Sequence, residues 1–125
     1  MTNLYPVPDA PPPATPDDLG QSGVALWEEL TNAFAFDPQD LVMILEACRV
    51  KDRLDALNAI VRAEGVTTSS PQGVKTHPAL TESRRQELVF TRLIASLRLP
   101  DPNEERAQRR GAARGAYRSR AMANR

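Results

Sequence analysis

The sequence predicts an all-α protein: a helical-hairpin core preceded by a short helix, a 66–76 loop that is either irregular or a short β-hairpin, and a basic C-terminal helix. Three observations carry this. Apolar residues from Leu26 to Leu97 recur at helical spacing in three separate stretches. Asp37-Pro38 and Asp101-Pro102 are helix-start signals, pairing a capping carboxylate with a proline whose missing N–H costs nothing in a first turn. Residues 66–76, rich in Thr, Ser, Pro and Gly, carry β-branched residues on both sides of Ser69-Ser70-Pro71-Gln72-Gly73, a turn composition.

Taken in order, residues 1–16 hold six prolines (Pro6, Pro8, Pro11, Pro12, Pro13, Pro16) and read as an extended tail. The first helix is expected to start near Asp17-Asp18, where carboxylates meet the positive end of the helix dipole. Leu26, Trp27, Leu30 and Phe34 form its apolar face, with Trp27 as a core anchor. The second helix starts at Asp37-Pro38 and runs to Ala63 or Glu64, with Gly65 as its C-cap. Within it Met43, Ala47, Val50, Leu54, Leu57 and Val61 recur at alternating spacings of 4 and 3, a heptad stripe suited to a long partner helix. Leu41, Ile44, Leu45 and Cys48 make a shorter stripe beside it that can receive the first helix. The third helix starts at His77-Pro78 or at Thr81, presents Leu80, Leu88, Phe90, Leu93, Ile94 and Leu97, and ends before Pro100. The domain plan is thus a 1–16 tail, a 17–100 helical core and oligomerisation domain, and a 101–125 Arg/Ala-rich segment.

About 80 residues have enough apolar content for a core, and a lone core of that size supplies roughly 3–5 kcal/mol, so assembly with further copies is expected. A single cysteine in 125 residues excludes a disulfide framework and a cysteine-based zinc site, and fits a reducing compartment. No apolar run reaches the roughly 18 residues of a membrane span, and the N-terminus does not read as a signal peptide, so a cytoplasmic location is expected and no membrane partner is expected.

Charge is balanced overall, with 16 Lys+Arg and 16 Asp+Glu, and segregated along the chain. Residues 1–48 hold eight acids and no base, whereas residues 106–125 hold seven arginines and no acid. The split points to a polyanion or to another charged subunit; the plainer alternative is that the two ends neutralise each other within an assembly. Arg106, Arg110, Arg114 and Arg118 are spaced by four, a positive stripe if helical, and Gly111 and Gly115 keep that helix conditional on an anionic partner. With Arg109 and Arg120 they are the candidate DNA-binding residues, gripping phosphates without sequence preference. Arg84, Arg85 and Arg92 form a second patch, which spacing beside Glu82 and Glu87 favours as a solvated face.

Catalytic readings fail on inventory. Cys48 lies on an apolar stripe, so a Cys–His nucleophile pair lacks an exposed thiolate. His77, held extended by Pro78, reads as a helix-start residue, and no metal-ligand spacing accompanies it. No phosphate-binding glycine loop of the G-x-x-x-x-G-K-[ST] type occurs. The expected protein is not an enzyme and needs no catalytic residue, metal or cofactor.

The ordered set Ala25-Leu26-Trp27-Glu28-Glu29-Leu30, Phe36-Asp37-Pro38, Leu45-Glu46-Ala47-Cys48-Arg49 and Asp52-Arg53-Leu54 resembles the front half of phage terminase small subunits of the actinobacterial phage and prophage type. Gly73, His77-Pro78-Ala79-Leu80, Arg92-Leu93, Leu97-Arg98-Leu99-Pro100 and the Arg/Ala tail resemble the back half, so the likeness spans about residues 24–120. One departure is Arg98, where such proteins often carry Gly, and a helical turn is expected to continue through it. The resemblance implies a non-catalytic small subunit, assembled as a ring. It implies binding to double-stranded phage DNA, and delivery of that DNA to a large ATPase/nuclease subunit that the small subunit regulates during genome packaging. The acidic front fits poorly with DNA recognition by N-terminal helices, which leaves the C-terminal arginines for DNA or for docking to the large subunit. The rivals are a dimeric DNA-binding transcriptional regulator of phage or host genes, and a structural adaptor that never touches DNA.

Overall fold

The computed structural model describes residues 11–100. The expectations for most of the proline-rich tail, for the Asp101-Pro102 helix start and for Arg106, Arg109, Arg110, Arg114, Arg118 and Arg120 lie outside the described residues. The order is α1 (Gln21–Ala33), α2 (Pro38–Glu64), β1 (Thr67–Ser70), β2 (Gly73–Thr76) and α3 (Pro78–Leu97), mostly helical with one small antiparallel sheet.

α2 begins as the sequence dictates. Asp37 is its N-cap and its Oδ1 accepts from the Asp40 N–H at 2.8 Å, Pro38 opens the first turn, and Gly65 closes the helix with its N–H donating to the Val61 carbonyl at 2.7 Å. α1 does not start at Asp17-Asp18, and that expectation is corrected. Its N-cap is Gly20, which has no side chain to offer, and the missing acceptor comes from another helix. The Asp52 carboxylate on α2 accepts from the Gly20 N–H at 2.7 Å and from the Gly23 N–H at 2.8 Å. Asp18 is used elsewhere, paired with Arg49 at 3.1 Å, while Arg49 also holds Glu46 at 2.8 Å.

The core cluster is Trp27 and Leu30 of α1, Phe36 of the α1–α2 connection, Ile44 and Cys48 of α2, and Leu97 of α3. Leu19, Leu26, Phe34, Leu41, Met43, Leu45, Ile94 and Leu99 pack around it. Leu41, Ile44, Leu45 and Cys48 thus take up the same cluster as the apolar face of α1. Phe34 and Phe36 meet edge to face at 5.9 Å between ring centroids. α2 packs against both other helices, which accounts for apolar residues on two of its sides.

Residues further along α2 meet residues earlier on α3. Lys51 Nζ lies 5.9 Å from the Phe90 ring centroid, Arg53 and Leu57 line a groove with Glu82 and Gln86, and Glu64 reaches His77. The β-hairpin joins the two helices, with Thr67 opposite Thr76 and Ser70 opposite Gly73. Pro71 holds its own φ near the usual −65°, so the turn depends on Gly73 at φ +113° to bring the chain back.

α3 starts at Pro78, the earlier of the two expected starts, with His77 as its N-cap. Its end departs from expectation. The helical turn does not continue through Arg98, which sits at φ 51°, ψ 51° in the left-handed region and donates its N–H to the Ala95 carbonyl. A left-handed cap drops the chain back so that Leu99 can reach the core that Leu97 fills. Leu88 also departs: it is 59% exposed, because five residues beyond buried Ser83 place it on the opposite side of the helix.

Candidate assembly and nucleic-acid surfaces

The heptad stripe of α2 is divided in use. Ala47, Val50 and Leu54 are buried within one chain, Met43 is half-buried against the core cluster, and Leu57 and Val61 are half-buried. The centre of the stripe thus packs within the chain. What remains open lies at the far end of α2. A shallow groove of about 270 Å³ is lined by Arg53, Ala56 and Leu57 with Glu82 and Gln86 of α3. Ile60 and Val89, 39% and 40% exposed, are further apolar side chains left in contact with solvent on these two helices.

Cys48 is a core side chain with no exposure. Burial, and secondarily the Asp52 carboxylate, pushes its thiol up to about 11, so it is a protonated hydrophobe at neutral pH. His77 is a buried structural residue with both ring nitrogens occupied. Nδ1 accepts from the Ala79 N–H at 3.0 Å, which leaves the proton on Nε2 to donate to Glu64 Oε1 at 2.9 Å. The imidazole therefore caps α3 and ties that cap to the last residue of α2. Among the described residues no group of three or more His, Cys, Asp or Glu could hold a metal ion, and no helix is long and apolar enough to cross a membrane.

The described surface carries charge unevenly. Glu28 and Glu29 are exposed on α1 and Asp17 and Asp18 in the turn before it. On α3 the exposed side chains Arg84, Arg85 and Arg92 share the face opposite buried Ala79, Ser83 and Leu97. Of the two acids that the sequence pairs with this patch, exposed Glu87 forms no ion pair among the described residues and Glu82 forms one long one. Glu82 reaches Arg85 only at 3.7 Å and gives its other oxygen to Gln86 at 2.9 Å. Arg84 and Arg92 have no ion pair among the described residues.

Sequence reasoning missed Asp52 and Gly23. Asp52 sits mid-helix in a charge-rich run and Gly23 precedes Val24-Ala25-Leu26, so neither bears a local mark of its role. A Cβ on Gly23 would lie 2.3 Å from Asp52 Oδ2 and 3.0 Å from the Cys48 carbonyl oxygen, and only glycine admits that approach of α1 to α2. A glycine three residues into an apolar helical pattern, where it costs about 1 kcal/mol against Ala, was the one available signal. Compared with models of known protein families, with curated proteins and with solved structures, the chain matches none of them.

Proposed function

We propose that the chain is a terminase small subunit: a non-catalytic, helical DNA-packaging factor that binds phage genomic DNA and brings it to, and regulates, a large ATPase/nuclease subunit. The observation that carries this reading is the charge segregation, with seven arginines and no acid in residues 106–125 and no base in residues 1–48 of the chain. The ordered motifs from Ala25 to Pro100 support it as a resemblance.

In this reading α2 and α3 form an antiparallel helical hairpin, supported by the descending order in which α3 residues meet ascending α2 residues. The core assembles as a homo-oligomer, a ring, in the host cytoplasm. A second copy meets the far end of α2, where Leu57 and Val61 of the stripe adjoin exposed Ile60, while Met43, Ala47, Val50 and Leu54 serve the protomer's own packing. The arginine segment becomes helical on neutralisation by phosphates.

Two measurements on the purified protein test this. Light scattering across a concentration series gives a stable mass of many 13.8 kDa units if the chain forms a ring. Removing residues 106–125 leaves that mass per subunit arrangement intact and abolishes or greatly weakens duplex binding. A monomer or dimer that binds one DNA sequence selectively supports the regulator instead. No retention on DNA at low salt supports the adaptor, and undiminished affinity after truncation refutes the tail as the DNA contact.

A further inference from the structure

The outward face of α3 is made of Thr81, Arg84, Arg85, Leu88, Arg92 and Ala95, all exposed. Arg84, Leu88 and Arg92 are successive i, i+4 positions, so they line up along the helix. We propose that this face is a second contact for double-stranded DNA, built into the folded core and acting with the 106–125 arginines. The proposal rests on the DNA-binding reading above and gives that reading a surface on the described fold.

Charge complementarity carries it. Among the described residues neither Arg84 nor Arg92 forms an ion pair, although exposed Glu87 stands one turn from Arg84, and the Arg85–Glu82 pair is long and 72% exposed on the arginine side, an arrangement worth little against a polyanion. Spacing supports it. Eight residues of helix set Arg84 and Arg92 about 12 Å apart along the axis. That matches the roughly 12 Å width of the B-form major groove, so the two guanidinium groups can each reach one of the flanking phosphate rows. The face also selects among polyanions. It carries a single large apolar side chain, Leu88, too little to seat a helix in a bilayer interface. No aromatic residue stands among these six positions to stack an unpaired base, so the partner is a duplex backbone rather than a single strand.

The test uses the full chain, an Arg84→Gln/Arg92→Gln variant and a labelled random-sequence duplex of about 30 bp, with affinity measured between about 50 and 200 mM salt. The expected result is a log–log salt slope shallower by about 2 in the variant, with affinity at the low-salt end reduced tenfold or more, at roughly 0.9 in slope per phosphate contact. An Arg62→Gln/Lys75→Gln control removes two exposed cations elsewhere and keeps the parent slope. An unchanged slope in the α3 variant, in a parent that binds DNA, overturns the α3 contact and leaves the DNA-binding reading standing. An equal loss in the control overturns it as well, since net charge then explains the effect. A parent that does not bind the duplex at all overturns both.

Discussion

The carboxylate of Asp52 holds α1 on α2, and its removal has a size that can be worked out. Asp52 accepts from two backbone N–H groups, those of Gly20 and Gly23, at 2.7 and 2.8 Å. A hydrogen bond to a charged acceptor contributes about 1.5–3 kcal/mol, and loss of an N-cap costs about 0.5–2 kcal/mol. Gly20 is exposed, so water replaces its bond cheaply; Gly23 is buried, so its N–H is left unsatisfied. Asp52→Ala should therefore destabilise by about 2–3 kcal/mol. Asp52→Asn keeps one acceptor oxygen and loses the charge at the helix N-terminus, for a cost of about 1 kcal/mol. Gly23→Ala gives an independent check of opposite prior sign. Helix propensity alone favours alanine by about 1 kcal/mol, yet its Cβ would stand 2.3 Å from Asp52 Oδ2 and 3.0 Å from a backbone carbonyl. It should destabilise in the parent and cost less when combined with Asp52→Ala, because half of the obstruction is then gone. Trp27, the lone tryptophan and 5% exposed in α1, reports undocking directly, so urea unfolding followed by its emission and by circular dichroism is the assay. For a domain this small 2 kcal/mol corresponds to about 10 °C in Tm. A loss under about 0.5 kcal/mol in Asp52→Ala, or a stabilised Gly23→Ala, refutes the reasoning.

Two further predictions concern the ends of the packed core. Arg98 occupies a left-handed backbone conformation that costs an L-residue about 1–2 kcal/mol, against about 0.5–1 kcal/mol of extra chain entropy lost by glycine, so Arg98→Gly should raise the urea midpoint by up to about 1 kcal/mol equivalent and Arg98→Val should lower it. Cys48 holds its proton more tightly in the fold, at about 11 against 9.0 ordinarily, so its contribution is complete below pH 9 and is lost as pH rises to 11. The loss is on the order of 2 kcal/mol; Cys48→Ala should flatten the stability profile in that window, and the parent thiol should resist alkylation at pH 8 unless urea is added.

Local chemistry made much of the fold legible. Asp37-Pro38 and Gly65 delimit α2 because caps and prolines act within one turn, and the turn residues of 69–73 mark the hairpin for the same reason. The 3.6-residue period assigned Trp27, Leu30, Ile44, Cys48 and Leu97 to buried faces. The candidate sites were less legible. The period says that Met43, Ala47, Val50, Leu54, Leu57 and Val61 share a face, but not whether that face meets α3 of the same chain or another copy. The charges of Arg84, Arg85 and Arg92 can be read in one dimension, whereas how closely Glu82 pairs with Arg85 depends on which way its carboxylate turns.

By itself, then, the sequence determined the element types, most of their boundaries, the apolar faces and the separation of acidic and basic segments, all consequences of interactions within a few residues. Tertiary structure alone decided where α1 begins, why residue 23 is glycine, how residue 98 ends α3, and which residues of the α2 stripe are buried within the chain. Each of those depends on groups about 30 residues apart or on a partner helix, as when Asp52 caps a helix that starts at Gln21, and no local propensity carries information about such a neighbour.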